Sequence, residues 1–362
     1  MRHLELFSGI GGFRRAFDLL SSDGVMSFES IGYSEIDEKA STTYRACYQL
    51  QRNEHVLGDI VRFTQDHDKI RSLAPIDIIT GGFPCQSFSM MGHKQGFNES
   101  RGQMFFRITD IIDALGQQKP RYLLLENVKN LQSHDDFNTY RTIKHELEYR
   151  GYTVWEDVFN TANFGLPQKR RRLYIFATSE EIPDGLFFEF SESCVQNCFW
   201  EHRKRFSGMI YDSVLDILED VVDPKYFLST RVKPTILSDG TAGYKSKSEI
   251  NQIVARTLTA TMHKMHRACQ DNYYSQDFIL SKGRINPALY STKEQLAQID
   301  IRKLTPEEAF MLQGFPSSFV VKARAAGVSD GALYAQAGNA VSVNVVYAIM
   351  QYLVECKAIR PQ

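Results

Sequence analysis

The sequence has almost no net charge and no long apolar run, and each shortage limits what the protein can be. Its 42 Lys and Arg residues are balanced by 43 Asp and Glu residues, which leaves a formal net charge of −1. No overall positive field therefore points to a nucleic acid, and such a partner would have to meet a local basic face. No stretch is apolar for long enough to predict a membrane span, and residues 1–6 predict a strand rather than a signal peptide.

Cysteine is also scarce. Six cysteines are scattered through 362 residues without the paired spacing of a disulfide framework. Cys194 and Cys198 lie four residues apart, but no second pair of Cys or His residues completes a tetrahedral zinc site, so we predict no metal. The pattern is typical of a protein in the reducing cytoplasm.

Short apolar runs alternate with helical patterns in the first half of the chain, which predicts an α/β fold with a Rossmann-like sheet. From about residue 180 to 300 the periodicity weakens, and a helix signal returns with Thr305 as N-cap and Pro306 in the first turn. We therefore predict a catalytic domain at 1–180, completed by 320–362, and a smaller mixed or β-rich domain at 181–319. The predicted strands cover 3–7, 28–33, 76–80, 122–125, 153–160 and 173–177, and the helical patterns include 105–115, 140–149 and 341–354.

A glycine-rich loop at residues 7–13, Phe-Ser-Gly-Ile-Gly-Gly-Phe, follows the first predicted strand and precedes an amphipathic helix. Glycines at such a place let a ligand approach the backbone at the amino terminus of the helix. Glu35 follows the second strand, where an acid usually binds ribose hydroxyls. The loop is not G-x-G-x-x-G, so a nucleoside cofactor without phosphates fits better than NAD. Asp59, in Gly58-Asp59-Ile60, is either a ligand of the adenine edge or a solvated acid in a turn.

Cys85 lies in Gly-Gly-Phe-Pro-Cys-Gln-Ser-Phe-Ser, residues 81–89, directly after the apolar run of a predicted strand. Gly81 and Gly82 allow a sharp turn and Pro84 fixes its own φ, so we expect the thiol to be held at the carboxyl end of the strand. Parallel sheets bind their ligands at that end. A cysteine is intrinsically very nucleophilic, although only a few per cent of it is thiolate at pH 7. A buried structural cysteine is the alternative interpretation.

Two further motifs bring charged side chains towards the same predicted edge. Glu126, in Glu-Asn-Val after the strand 122–125, could hold or donate a proton, or could instead satisfy a helix start. The run Gln-Lys-Arg-Arg-Arg at 168–172 precedes another strand, and such a basic run is usually a solvated face. Because side chains alternate along a strand, however, we expect Arg170 and Arg172 to enter one cleft while Arg171 faces away. Two guanidinium groups in a cleft suit phosphate or carbonyl oxygens.

Taken in order, these motifs resemble those of the DNA cytosine-5 methyltransferases, and the resemblance covers nearly the whole chain. Each match alone is weak, but six matches in order exclude coincidence. The glycine motif is matched by 7–12, the nucleophile motif by 84–86, the base-binding motif by 126–128, the Q-x-R-x-R motif by 168–172, the motif after the recognition region by 302–316, and the terminal cofactor motif by 338–341.

The resemblance implies an enzyme that transfers a methyl group from S-adenosylmethionine to carbon 5 of a cytosine flipped out of duplex DNA, leaving S-adenosylhomocysteine. Cys85 would add to carbon 6, and Glu126 would hold N3 and the exocyclic amine. Arg172 would hold the O2 edge, Arg170 would steady the cysteine loop and nearby backbone, and residues 92–101 would close over the base. The implied cofactor contacts are Phe7, Gly9, Ile10, Gly11, Gly12, Glu35, Ile36, Asp59, Ile60, Pro84, Met104, Asn339 and Val341. The family often has an aromatic residue at the position of Ile36, so that contact is expected to be weaker here.

By the same resemblance, the domain at 181–319 would recognise the DNA target. Residues 256–259, Arg-Thr-Leu-Thr, resemble the short Thr-Leu element of the family's recognition region. A solvated basic turn is the alternative interpretation of the four basic residues that follow it. The implied DNA contacts are Ser89, Arg101, Arg256, Thr257, His263, Lys264, His266 and Arg267.

Three other functions fit the sequence less well. A methyltransferase that acts on an exocyclic amine needs a [DN]-P-P-[YF] motif, and the nearest match, Asp-Pro-Lys-Tyr at 223–226, lacks the second proline. A transfer-RNA methyltransferase of similar fold typically differs around its cysteine and has a smaller insert. A DNA-binding protein without activity would not need Cys85, Glu126, Arg170 and Arg172 together.

The chain begins almost at its first motif, which favours a compact bacterial or phage enzyme. We expect a monomer in the cytoplasm, associated with the nucleoid, that acts on double-stranded DNA. In bacteria such an enzyme most often protects DNA from a restriction endonuclease, which would be a genetic rather than a physical partner.

Overall fold

The computed structural model describes residues 1–84, 104–134, 136–182, 188–241, 243–285 and 292–360. The chain divides into two compact units. The first, which we call the sheet unit, consists of Met1–Asn160, Arg171–Gly208 and Val341–Gln362, and the second, the insert unit, consists of Thr161–Arg170 and Met209–Ala340. These bounds differ from the predicted boundaries at 181 and 319, and the function of each domain stays a prediction.

A seven-stranded sheet forms the centre of the sheet unit. Its strands are β1 (Arg2–Leu6), β2 (Glu29–Ser34), β3 (His55–Val56), β4 (Ile78–Gly82), β5 (Tyr122–Val128), β6 (Thr153–Asn160) and β8 (Arg171–Thr178), while β7 (Gln168–Lys169) belongs to the insert unit. The order is β3-β2-β1-β4-β5-β8-β6. The first five strands in this order run parallel, and β8 runs antiparallel between β5 and β6. The predicted Rossmann-like α/β fold is therefore confirmed.

The two middle strands, β4 and β5, are apolar on both faces because both faces of a central parallel strand are buried. Ile78, Ile79, Leu123, Leu124 and Leu125 have no exposed surface. The polar residues come at the carboxyl ends of these strands, with Glu126 and Asn127 following the apolar run of β5. The fold thus places polar side chains at the carboxyl ends of the central strands.

Helices connect the parallel strands, as the alternating sequence pattern predicts. In α1 the buried residues Phe13, Ala16, Phe17 and Leu20 recur every three or four positions and form the apolar face of the helix. The last helix, α14, packs against α1 and α7 and is buried along most of its length. The helices of this unit are α1 (Gly12–Ser22), α2 (Glu38–Cys47), α3 (Ile60–Phe63), α4 (His67–Arg71), α5 (Met104–Leu115), α6 (Asn138–Tyr149), α7 (Glu192–Glu201) and α14 (Val343–Glu355).

The insert unit is mixed, and its described strands are only two or three residues long. Its core includes Leu228, Ile236, Leu237, Tyr273 and Ile301. β7 pairs with β11 (Ala255–Arg256), β9 (Gly240–Thr241) with β10 (Tyr244–Lys245), and β12 (Tyr273–Ser275) with β13 (Ile301–Lys303). The helices are α8 (Lys233–Leu237), α9 (Gln276–Leu280), α10 (Lys293–Gln298), α11 (Pro306–Met311), α12 (Ser318–Ala325) and α13 (Asp330–Asn339).

The helix predicted at Thr305 and Pro306 is confirmed as α11. Thr305 caps it, and Glu308 completes a capping box by accepting a hydrogen bond from the Thr305 amide at 2.7 Å. Glu308 also pairs with Arg302 at 2.7 Å, and both side chains are fully buried. The motif at 302–316 therefore begins with residues that hold the insert unit together.

Within the described residues, one helical run, Asp330–Glu355, is long and apolar enough by length and composition to cross a membrane. The sequence predicted a helix at 341–354, within this run, but no stretch long and apolar enough to span a membrane. Of its most apolar window, 89% is buried inside the protein, as in a core helix.

Candidate active site

The glycine-rich loop joins β1 to α1 at the carboxyl end of the parallel strands. Phe7, Gly9 and Gly11 have positive φ angles of 54°, 54° and 79°, a backbone conformation that favours glycine. Ile10, Gly11 and Gly12 are buried, but Gly9 is half-buried, and among the described residues, its chain neighbours apart, no atom lies within 4 Å of where a Cβ on Gly9 would be. The loop thus leaves open space at Gly9.

Glu35 fixes this loop from the end of β2. Its carboxylate accepts hydrogen bonds at 2.7 Å from the amides of Gly9 and Asp37. Burial raises the pKa of Glu35, and the hydrogen bonds from those two amides oppose the rise. The next residue, Ile36, is 73% exposed. A carboxylate and an apolar side chain therefore lie side by side at this edge of the sheet.

Asp59 caps the short helix α3. Its carboxylate accepts a hydrogen bond from the Val61 amide at 2.9 Å and lies 3.6 Å from the guanidinium of Arg62. Ile60 is buried, and apart from the chain neighbours of Gly58 no atom in the described ranges lies within 4 Å of where a Cβ on Gly58 would be. Asp59 thus has a helix-capping role, and its assignment to the adenine edge stays a prediction.

Glu126 lies in β5 directly opposite Gly82 of β4. The Arg172 guanidinium, on β8, lies 3.2 Å from the Glu126 carboxylate, and the two side chains are only 18% and 11% exposed. A Cβ on Gly82 would be 3.1 Å from the second Glu126 oxygen. The carboxylate is therefore held over a glycine by a charged partner, with little room for any other side chain at position 82.

The two glycines before Cys85 belong to β4, not to a turn. A Cβ on Gly81 would be 2.8 Å from the Leu6 carbonyl oxygen. Glycine is thus needed at 81 and 82 for close approach of neighbouring groups, and the sharp turn predicted there does not occur within β4.

Asn127 ties the end of β5 to the segment that leads to Cys85. Its side-chain amide donates to the Phe83 carbonyl at 2.8 Å, and its oxygen accepts from the Val128 amide at 2.8 Å. Sequence reasoning quoted Glu-Asn-Val but gave Asn127 no role; its place beside Glu126 is the signal that could have found it. Cys85, Ser89, Arg101 and the loop 92–101 lie outside the described residues.

Two predicted cofactor contacts flank that undescribed segment. Pro84 is exposed, and Met104, the first residue of α5, is half-buried. In the terminal motif, Asn339 is exposed at the end of α13, whereas Val341 is buried and its Cγ1 would lie 3.8 Å from a Cβ on Gly82. Val341 is therefore close to the Glu126 and Arg172 pair.

Arg170 is 2% exposed and donates to three backbone carbonyls of the insert unit. These belong to Leu258 at 3.2 Å, Gly338 at 3.1 Å and Ala340 at 2.8 Å. Arg170 lies between β7 and β8 and in neither strand, so the predicted strand alternation of Arg170 with Arg172 does not hold. Arg171 is exposed, as predicted.

The segment predicted to contact DNA is folded against its own unit. Arg256 donates to the Glu249 carbonyl at 3.1 Å, and the Thr257 hydroxyl donates to the Lys169 carbonyl at 2.6 Å. Lys264 is exposed.

Three of the basic residues after the Thr-Leu element, His263, His266 and Arg267, are partly buried. His266 lies 3.2 Å from Asp271, and Arg267 donates to the Ser238 hydroxyl at 3.0 Å. Burial raises the pKa of Asp271, and His266 opposes the rise. His263 is half-buried. Its assignment to DNA, like those of Arg256 and Thr257, stays a prediction.

Cys194 and Cys198 both lie on α7, and the Cys198 sulfur is 3.8 Å from His202 Nδ1. Burial raises the pKa of Cys198 to about 11. In the part of the chain that the structure describes, no group of three His, Cys, Asp or Glu side chains is arranged to hold a metal ion.

The sequence was compared with protein families and with curated proteins. A family model described as C-5 cytosine-specific DNA methylase matches residues 1–355. The chain is 35% identical to the Type II methyltransferase M.SsoII of Shigella sonnei, over 98% of this chain and 80% of the relative. It is 32% identical to the Type II methyltransferase M1.ScrFI of Lactococcus lactis subsp. cremoris, over 97% of this chain and 77% of the relative.

Solved structures share the fold. The Dnmt2 methyltransferase of S. pombe aligns with a TM-score of 0.72 at 20% identity, covering 98% of each chain. The methyltransferase EhMeth of Entamoeba histolytica aligns with a TM-score of 0.71 at 20% identity, again over 98% of each chain.

Proposed function

The chain belongs to the C-5 cytosine-specific DNA methylase family and is a DNA cytosine-5 methyltransferase, and from this premise we propose that it acts through a covalent bond between Cys85 and a flipped-out cytosine. The methyl group would come from S-adenosylmethionine, and the target would be a short duplex sequence. One observation carries the proposal: Glu126 is held 3.2 Å from Arg172 at the carboxyl edge of the sheet, beside the strand that leads to Cys85.

Carbon 5 of cytosine is a poor nucleophile until a group adds to carbon 6. In the proposed reaction the Cys85 thiolate forms a bond to carbon 6 while Glu126 holds N3 and the exocyclic amine. The electron pair of the double bond between carbons 5 and 6 would then be available at carbon 5, which would take the methyl group while S-adenosylhomocysteine leaves. Carbon 5 would lose its proton to a base such as water, the ring double bond would form again, and the sulfur–carbon bond would break to release the thiolate. Arg172, already paired with Glu126, would bind the O2 edge and keep the carboxylate oriented.

The sheet unit supplies residues that fit the methyl donor. Open space at Gly9 and Gly58, the Glu35 carboxylate and the 73% exposed Ile36 lie at the ends of β1, β2 and β3, which are neighbours in the sheet. An apolar side chain suits a base, and a carboxylate suits ribose hydroxyls. When bound, the donor supplies an electrophilic methyl group, and the residues that would hold it are Phe7, Gly9, Glu35, Ile36 and Val341, with the other contacts predicted above.

The insert unit would recognise the target sequence. Arg170 would position the backbone around the Thr-Leu element. Its guanidinium donates to the carbonyl of Leu258 and to those of Gly338 and Ala340, and so ties these segments to one another. Lys264 is exposed and free to reach a phosphate. The partly buried His263, His266 and Arg267 would contact DNA only at their exposed edges.

A covalent trap tests the proposal. A duplex that carries 5-fluorocytosine at the target cannot lose a proton from carbon 5, so the wild-type protein with S-adenosylmethionine should form an adduct that survives denaturing electrophoresis. Cys85→Ser should form none and should lose turnover, while it still binds DNA and cofactor. Methylation retained by Cys85→Ser would remove Cys85 from the mechanism.

We also propose that the enzyme protects DNA against a restriction endonuclease, because its curated relatives are Type II methyltransferases. It would act in the cytoplasm on nucleoid DNA as a monomer. Bisulfite sequencing of plasmid DNA from an expressing strain gives the modified base and its sequence context. The same plasmid should then resist an endonuclease that cuts at that sequence, and full cleavage would contradict the protective role.

A further inference from the structure

Three tyrosines lie beneath the glycine-rich loop. Tyr33 of β2 stacks on Tyr44 of α2, with ring centroids 4.0 Å apart, and the Tyr44 and Tyr48 rings are 4.7 Å apart. All three are buried. We call Tyr33, Tyr44 and Tyr48 the tyrosine stack. Tyr44 lies in α2 and Tyr48 directly after it. The sequence predicted no role for them, although residues four positions apart share one face of a helix.

The tyrosine stack touches the loop at Gly11. The Tyr48 hydroxyl donates to the Gly11 carbonyl at 2.5 Å. A Cβ on Gly11 would lie 2.5 Å from a Tyr48 ring carbon and 2.8 Å from a Tyr44 ring carbon. The loop is thus closed on the side of the stack and open at Gly9, where no other atom in the described part of the chain lies within 4 Å of a Cβ.

The base of the stack is fixed by the first strand and the first helix. The Tyr44 hydroxyl donates to the buried Glu5 carboxyl at 3.3 Å, and the same carboxyl accepts from the Phe13 amide at 3.2 Å. The Arg14 guanidinium lies 5.5 Å from the centre of the Tyr48 ring. Strand, loop and helix therefore share one buried support.

We infer that Tyr48 is a positioning residue for the methyl donor, an inference that rests on the proposed function. Its hydroxyl bonds to the loop backbone, so it fixes the shape of the loop before the ligand arrives. Without that bond the free loop samples other shapes, and the ligand has to select the binding shape at a cost in affinity. The methyl-transfer step takes place at Cys85 and Glu126, so it should not depend on the hydroxyl once the donor is bound.

The test compares two tyrosine hydroxyls in the full-length protein. S-adenosylhomocysteine is titrated by calorimetry into the wild type, Tyr48→Phe and Tyr152→Phe. Tyr152 is the matched control, because it is buried and its hydroxyl donates to the Pro120 carbonyl at 2.6 Å, before the amino ends of β5 and β6. We expect Tyr48→Phe to bind roughly three- to ten-fold more weakly, the range of one neutral hydrogen bond, and Tyr152→Phe to bind like the wild type.

Kinetics separate positioning from a general loss of structure. For Tyr48→Phe the KM for S-adenosylmethionine should rise by about the factor seen in the titration, while kcat at saturation changes less than twofold. Affinity equal in the two variants would overturn the inference and leave the proposed function standing. A wild type that binds no S-adenosylhomocysteine would instead overturn the proposed donor, and this inference with it.

Hydrogen exchange gives a test that does not depend on a folded variant. In the wild type without ligand, the amides of Gly11, Gly12 and Phe13 should already be protected, because the stack holds the loop in shape. Fast exchange that slows only when S-adenosylhomocysteine is added would overturn the inference.

Discussion

At the scale of single residues, Arg172 and Gly82 each constrain Glu126 in a different way. Arg172 pairs with its carboxylate at 3.2 Å, and Gly82 leaves only enough room for the carboxylate itself. The ion pair and the crowding at Gly82 together fix the direction of the carboxylate. The position of Glu126 at the end of an apolar strand could be predicted from sequence, whereas its pairing with Arg172 could not, because it depends on β8 lying beside β5.

Replacement of Glu126 by Gln should lower the single-turnover rate of methyl transfer by about 10²- to 10⁴-fold, because the amide cannot stabilise a protonated cytosine ring as a carboxylate does. The rate is measured by transfer of labelled methyl groups to duplex DNA. Glu38→Gln, at an exposed position of α2, is the matched control and should keep the wild-type rate. A near-normal rate for Glu126→Gln would exclude Glu126 from the reaction.

The buried Glu5 gives a prediction about pH. Burial raises its pKa to about 8, although Arg14 and the hydroxyl of Tyr44 oppose the rise. The folded protein therefore holds a proton that the unfolded chain, with an ordinary pKa of 4.5, releases. Between about pH 4.5 and 8 this group makes stability fall as pH rises, by up to about 1.4 kcal/mol per pH unit; its contribution is fully present below that range.

Glu5→Gln should remove this slope. The glutamine oxygen can still accept from the Phe13 amide, as the Glu5 carboxyl does. The melting temperature of the variant should therefore gain on that of the wild type steadily from pH 5 to 8. Glu29→Gln, on the exposed end of β2, should show no such trend. A constant difference between Glu5→Gln and wild type across this range would show that Glu5 is ionised in the folded protein.

At the scale of elements, local sequence patterns predicted where the strands lie better than which strands pair with one another. All six predicted strands overlap observed ones, namely β1, β2, β4, β5, β6 and β8, since apolar runs bounded by turns are local signals. The antiparallel place of β8 between β5 and β6 is not local. For the same reason Arg170 was misjudged: strand alternation was extended one residue too far, to a side chain that is buried among backbone carbonyls.

The end of α13 approaches the Thr-Leu element more closely than any side chain permits. A Cβ on Gly338 would lie 2.2 Å from the Thr259 carbonyl carbon and 2.3 Å from the Ala260 amide nitrogen. These are backbone atoms, so the two segments would have to separate, with loss of the Arg170 bonds to Leu258 and Gly338.

Gly338→Ala should accordingly destabilise the insert unit by about 3 kcal/mol, measured by urea unfolding. Gly331→Ala in the same helix is the control, because in the described structure no atom other than those of its chain neighbours and its own helix lies within 4 Å of where the new Cβ would be. Alanine also stabilises a helix relative to glycine by up to about 1 kcal/mol. That variant should be unchanged or more stable. Equal effects of the two substitutions would mean that α13 does not dock on residues 258–260.

At the scale of the whole molecule, the bounds of the two units decide where the proposed recognition domain can be exchanged. The helix α7 lies after residue 181 but belongs to the sheet unit, where it packs against α14 and β6. Its first residue, Glu192, also receives a hydrogen bond from the Asn160 amide and donates one to Asp157. A chimera whose exchanged segment starts at residue 181 would therefore break a part of the sheet unit.

A chimera that takes residues 209–300 from a Type II relative should keep the wild-type melting temperature within a few degrees and methylate the relative's target. A chimera that takes 181–300 should melt several degrees lower, since 1 kcal/mol corresponds to roughly 2–4 °C in a domain of this size. Thermal scans and bisulfite sequencing measure the two outcomes. The parental target retained by the 209–300 chimera would mean that recognition lies outside this segment.

The connection between β6 and β8 has an evolutionary consequence. Residues 161–170, between two neighbouring strands of the sheet, belong to the insert unit, and Gln168 and Arg170 bond to residues far downstream in that unit. Recombination between related genes could replace only the long segment, Met209–Ala340. Gln168 and Arg170 would then still come from the original gene. A lineage can therefore acquire a new specificity in one crossover event only if both parents encode compatible residues at this short bend.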